Sequence, residues 1–66
     1  MLIHVEGMTC GHCEAAVRRA ILAVAPSAEV AIDRAAGEVR IDGTANEKAL
    51  IDAITAEGYT AHRPQP

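Results

Sequence analysis

The sequence contains no Trp and no Phe, and Tyr59 is its only aromatic residue. Aromatic side chains supply much of the large buried surface of cores and pockets, so a deep substrate cavity is not expected, and an enzyme is disfavoured. The core has to be built from Val, Ile, Leu and many Ala, which pack in thin layers. Basic residues are also few: Lys and Arg number 6 against 9 Asp and Glu, a net charge of −3. A nucleic-acid partner requires a basic face for phosphates, and none is expected here. Apolar runs are short, and none approaches the roughly 18 residues of a membrane span. Met1 leads straight into Leu2-Ile3-His4-Val5 without the basic start and apolar stretch of a secretory signal. Membrane insertion is therefore not expected, and if the chain is complete its expected location is the cytoplasm.

What remains is one short domain, residues 1–66, with a core that is marginal at this size. The polarity pattern divides it into six segments. Ile3-His4-Val5 alternates as a half-buried strand does. After the glycine-bearing stretch Glu6 to His12 the period changes, and Val17, Ala20, Ile21 and Val24 form a helical stripe that also holds Cys13. Pro26 ends that helix near Ala25. Val30 with Ile32, and Val39 with Ile41, alternate on either side of Asp33-Arg34-Ala35-Ala36-Gly37, a connection of hairpin length. Thr44-Ala45-Asn46-Glu47 fits a capping box. The second helix it opens buries Leu50, Ala53 and Ile54, with Gly58 placed to cap its end. Tyr59 to His62 reads as a last short strand before a frayed tail, residues 63–66.

The order βαββαβ predicts an α+β ferredoxin-like sandwich, a four-stranded antiparallel sheet with two helices on one face. That arrangement puts the loop after the first strand, the central hairpin and the Gly58-Tyr59 turn at one end. The two cysteines therefore face the turn that carries the only aromatic.

Cys10 and Cys13 are the one constellation with obvious chemistry. In a reducing compartment, cysteines three positions apart bind metal or exchange electrons rather than staple the chain. Cys13, in the first helical turn, gains from the unpaired amides and dipole that favour a thiolate, while Cys10 sits in a loop that Gly11 allows to bend. Two thiolates with little else suit Cu(I), a soft ion. Structural zinc asks for four ligands.

The run Gly7-Met8-Thr9-Cys10-Gly11-His12-Cys13 resembles the signature of heavy-metal-associated domains, and of the bacterial copper chaperones of the CopZ type in particular. The resemblance extends from Ile3 to Glu57-Gly58-Tyr59. It implies Cu(I) held by Cys10 and Cys13 and passed by thiolate exchange to the metal-binding domain of a copper-transporting P-type ATPase. A Tyr at the position of Tyr59 agrees with it. Ala25-Pro26-Ser27-Ala28 departs from the family pattern, at the end away from the metal.

Neighbouring residues have plainer readings. Met8 offers a thioether, but its expected place is the core beside the site. His12 is expected to face solvent and to ligate only in clusters shared between chains. Tyr59 is either a lid or donor over the sulfurs or simple packing. His4 and His62 are expected at the surface, and Arg18 and Arg19 on a solvated helix face open to a partner. The apo protein is expected to be monomeric, with copper-bridged homo-oligomers at high loading. The competing functions are a thiol–disulfide redox protein, a mercuric ion binder and a metal-binding domain detached from a transporter.

Overall fold

The computed structural model describes residues 1–43 and 46–63. The elements run β1 (Leu2–Glu6), α1 (Gly11–Val24), β2 (Glu29–Asp33), β3 (Glu38–Asp42), α2 (Glu47–Ala56) and β4 (Thr60–His62). The strands form one antiparallel sheet in the order β2-β3-β1-β4, so the expected ferredoxin-like βαββαβ sandwich is the observed fold. Alternation decides the faces. Ile3 and Val5 of β1 and Val39 and Ile41 of β3 point to one side, where they meet Val17 and Ile21 of α1 and Leu50 and Ile54 of α2. Both helices thus cover one face, and His4, Glu6, Glu38, Arg40 and His62 stand on the other.

Several local expectations need correction. Helix α1 begins at Gly11 rather than Cys13, because Cys10 adopts the extended N-cap conformation and its carbonyl accepts from the amides of Cys13 and Glu14. Its buried line runs through Val17, Ile21 and Ala25, whereas Val24 is 40% exposed. From Val17 at 100° per residue, Ile21 lies at about +40° and Ala25 at about +80°, so the buried line drifts to one side and leaves Val24, at about −20°, on its outer edge. Helix α2 is capped by Asn46, whose side chain accepts the Ala49 amide at 3.1 Å. The expected capping residue Thr44 lies outside the described residues, as do positions 64–66 of the tail. Strand β4 starts at Thr60, one residue late, because Gly58 (φ +99°) and Tyr59 form the turn.

Two interactions fix the ends of the sheet. In the β2–β3 hairpin, Gly37 has φ +68°, and a Cβ there would stand 3.0 Å from the Val5 carbonyl. Its own carbonyl accepts the Val5 amide at 2.8 Å, so only glycine lets the hairpin dock on β1. On the other flank, Arg18 is not a free surface charge: its Nη1 donates to the Val30 carbonyl at 2.9 Å and its Nη2 lies 3.6 Å from Glu14. Strand β2 is an edge strand, and the guanidinium occupies one of its outward carbonyls, which blunts pairing with another chain. Arg19 remains exposed.

Candidate metal centre

Three connections converge at the Glu6 end of the sheet. The register Glu6 with Thr60 brings the start of β4 beside the end of β1, and the Gly37 contact brings the hairpin there as well. The Gly7 backbone packs against the Tyr59 ring, with Cδ1 3.4 Å from where a Cβ would be. Met8 then drops into the core, 7% exposed and in the same cluster as Val17 and Leu50. It is a core residue that anchors the loop, as its thioether chain suggests. With Met8 fixed, Thr9 and Cys10 are carried back to the surface and the chain turns directly into α1.

Cys10 and Cys13 are both free thiols, with Cys10 exposed and Cys13 partly covered. Their sulfurs are 3.8 Å apart, and the Thr9 hydroxyl lies 4.0 Å from the Cys13 sulfur. At a metal–sulfur bond of about 2.3 Å, linear two-coordination separates sulfurs by roughly 4.6 Å. The observed spacing is therefore slightly closed for a linear ion and suits a bent one. Moving Cys10 outward by under about an ångström, on the same estimate, spans the linear case. Cys10 makes no side-chain cap bond to the helix. A sulfur thus occupies the position where Ser, Thr, Asp or Asn usually sit, and a negative sulfur there is what the helix end favours.

The electrostatics are asymmetric. The Cys13 pKa is lowered from 9.0 to about 6, first by the Tyr59 hydroxyl and next by the Thr9 backbone, with burial opposing them and the Cys10 side chain and backbone adding smaller lowering effects. The Tyr59 hydroxyl is correspondingly pushed above its ordinary value by the sulfur it faces. The lowered value favours the thiolate form of Cys13 near neutral pH, with the Cys10 sulfur 3.8 Å away. Alkylation by iodoacetamide, with the modified residue assigned by mass spectrometry, should show a Cys13 midpoint near pH 6, in line with that lowered value. Tyr59→Phe should move it upward. An unchanged midpoint in that variant would remove Tyr59 from the site.

Of the sequence expectations, the structure brings Cys10, Cys13, Met8 and Tyr59 together. The Tyr59 hydroxyl is the first cause of the lowered Cys13 pKa. His12 lies between the cysteines in the chain but is exposed. Two neighbours escaped the sequence reading. Thr9 touches Cys13 as described, and Arg34 reaches across from the hairpin to Gly11, with Nη1 3.9 Å from a Cβ built there. The signal for Arg34 is in the sequence: the hairpin is expected at this end, and Arg34 is the only cation in its connection Asp33-Arg34-Ala35-Ala36-Gly37.

Among the described residues no group of three or more His, Cys, Asp and Glu is arranged to hold a metal. The site is thus a two-sulfur clip with an open side, suited to a soft ion of low coordination number.

Comparison with known proteins agrees in kind. The model of the heavy-metal-associated domain matches residues 2–60. A copper-transporting ATPase 2 of Rhizobium meliloti (strain 1021) is 34% identical over 67 residues, which is 97% of this chain but 8% of that protein. The chain thus spans a small fraction of that relative. Among solved structures, the copper chaperone Atx1 from Synechocystis PCC6803 is 26% identical with a TM-score of 0.86, covering 94% of this chain and 98% of that one. The CopZ metallochaperone is 27% identical with a TM-score of 0.85 over 94% and 97%. A gold-binding protein is 28% identical with a TM-score of 0.85 over 92% and 94%.

Proposed function

The chain belongs to the heavy-metal-associated domain family, and we propose that it carries Cu(I) between Cys10 and Cys13 and gives it up by ligand exchange to the metal-binding domain of a copper-transporting P-type ATPase. The observation that carries this reading is the open dithiol, 3.8 Å between sulfurs at an exposed end of the fold. A closed four-ligand cage holds its ion. A two-sulfur clip leaves the metal open to attack by a third sulfur from a partner, so transfer passes through a shared intermediate without release of free ion. The roles divide by exposure. Cys13, the better-covered thiolate, takes and keeps the ion, while exposed Cys10 supplies the bond that is broken and remade.

Copper is favoured among soft ions because it is named in the ATPase relative and in the chaperone Atx1. The ATPase match suggests that the acceptor presents a surface like this one. The reading assigns the carrier to the cytoplasm, where a dithiol at this spacing stays reduced. In this reading the protein acts as a carrier, holding the ion and passing it on without changing it. No helix among the described residues is long and apolar enough to cross a membrane.

The test is anaerobic mixing of the copper-loaded protein with an isolated ATPase metal-binding domain, followed by separation and metal analysis. Copper should redistribute between the two within the mixing time. It should do so in the presence of a chelator that captures free Cu(I). Capture by the chelator before the acceptor is loaded would rule out direct exchange. Above one copper per chain, sedimentation should show copper-bridged dimers that an added small thiol disperses, with His12→Ala weakening the bridged species.

A further inference from the structure

Passing a copper ion from sulfur to sulfur builds up charge of one sign. Two thiolates on one Cu(I) leave a net negative charge, and a third thiolate arriving from an acceptor adds another. Repulsion is then greatest just when the new bond must form, so a cation on the open side of the site favours exchange. Among the described residues, Arg34 supplies it. It is exposed in the β2–β3 connection, and its Nη1 stands 3.9 Å from where a Cβ on Gly11 would be. A carbon–carbon bond of about 1.5 Å puts that nitrogen within roughly 5.5 Å of the Gly11 Cα. Gly11 has no side chain to hold the guanidinium away, and it lies in the chain between Cys10 and Cys13.

The neighbouring carboxylates leave Arg34 uncommitted. Glu14, in the first turn of α1, lies 3.6 Å from Arg18. Asp33, next to Arg34 in the chain, accepts the Ala36 amide at 3.2 Å. Glu6 and Glu38 stand on the open sheet face against His62 and His4, which are paired across β1 and β4. Glu57 lies on the Tyr59 side of the site. Among the described residues Arg34 joins no ion pair. The groups that stabilise the resting Cys13 thiolate are Tyr59, Thr9 and Cys10, so the guanidinium remains available to an incoming anion. We propose, on the carrier role given above, that Arg34 is a positioning residue for exchange: it draws the acceptor's thiolate to the open side of the clip beside Cys10. As the new copper–sulfur bond forms, the bond to Cys10 breaks, the Cys10 sulfur leaves as a thiolate, and copper stays Cu(I) throughout. The acceptor that fits is one whose approaching face is anionic.

The test begins with the apo protein, without copper. Iodoacetate and iodoacetamide alkylate the same thiolate and differ chiefly in charge, so the ratio of their initial rates at Cys10, resolved by mass spectrometry, reports the local potential. At about 0.1 M salt Arg34→Gln should lower that ratio by about two- to fivefold, and 1 M salt should erase the difference. Arg34→Lys keeps the charge and should hold the ratio near that of the parent. Arg19→Gln is the control, because position 19 lies about 12 Å further along α1 than position 11, beyond the screening length of about 10 Å at 0.1 M. Each variant is first checked for an intact amide spectrum. Copper transfer to the ATPase metal-binding domain, followed by stopped flow, should slow by a similar factor in Arg34→Gln and recover in Arg34→Lys. An unmoved ratio in Arg34→Gln, a difference that survives 1 M salt, or a lowered ratio with an unaltered transfer rate would each overturn the assignment. The alkylation ratio does not depend on copper, so failure of the carrier role shows as absence of loading and failure of the Arg34 role as an unmoved ratio.

Discussion

Cys10→Ser, and separately Cys13→Ser, should each weaken Cu(I) binding by at least about a hundredfold in competition against a Cu(I) chelator. The estimate follows from ligand bookkeeping. Four-ligand zinc sites release about 10–16 kcal/mol, or roughly 3–4 kcal/mol per ligand, and about 1.4 kcal/mol is a factor of ten. A site with two ligands spreads its affinity over fewer bonds, so each loss weighs more. Serine keeps the size of the side chain but replaces a soft thiolate with a hard, protonated hydroxyl, which isolates the chemistry from the packing. The two variants should differ in a second respect. Cys10→Ser leaves the thiolate of Cys13, lowered by Tyr59 and Thr9, and should retain weak one-sulfur binding. Cys13→Ser removes the thiolate that these neighbours stabilise and should bind least. Equal retention of full affinity by Cys10→Ser would leave the clip without its second jaw.

The largest expected effect on stability is at Leu50. It is fully buried and lies in the cluster that joins α2 to β1, β3 and α1. Truncation of such a residue costs about 2–5 kcal/mol, and a core of this size supplies only about 3–5 kcal/mol in total. Leu50→Ala should therefore lower the melting temperature of the apo protein by about 8–40 °C, at roughly 4–8 °C per kcal/mol, or leave it largely unfolded. Val24→Ala is the control. Its side chain is 40% exposed beyond the buried line of α1, and its removal should change stability by less than about 0.5 kcal/mol. Thermal denaturation followed by circular dichroism compares the two. A Leu50→Ala protein as stable as the parent would mean that the layer between sheet and helices is not what holds the fold.

The sheet, both helices and the pair of sulfurs were legible in the sequence because each rests on short-range periodicity or on adjacent residues. Alternation at Ile3 and Val5, and at Val39 and Ile41, fixes which face is inward, and the spacing of Cys10 and Cys13 places both at the start of α1. What escaped depends on contacts between distant segments. Nothing local shows that Arg18 would reach the Val30 carbonyl rather than solvent, or that Arg34 would come to Gly11. The pairing of His4 with His62 needs the β1–β4 register, which the sequence does not state. The second cap was misplaced for a different reason. Thr44, outside the described residues, and Asn46 are both good capping residues upstream of the same helix; the capping-box spacing points to Thr44, and the observed cap is Asn46. Helix α1 begins earlier than its periodicity predicts because glycine at position 11 reads as loop, although glycine in a first turn costs little once Cys10 takes the cap.

The central claim is that Cys10 and Cys13 alone hold one Cu(I). X-ray absorption at the copper edge, on anaerobic protein loaded below one equivalent and free of added thiol, addresses it directly. The first shell should contain only sulfur, about two atoms at roughly the metal–thiolate distance of 2.3 Å or slightly less, with an edge characteristic of low-coordinate Cu(I). The Cys10→Ser/Cys13→Ser protein should hold no copper after desalting. A first shell dominated by nitrogen or oxygen, or copper retained at one per chain without either cysteine, would contradict the account.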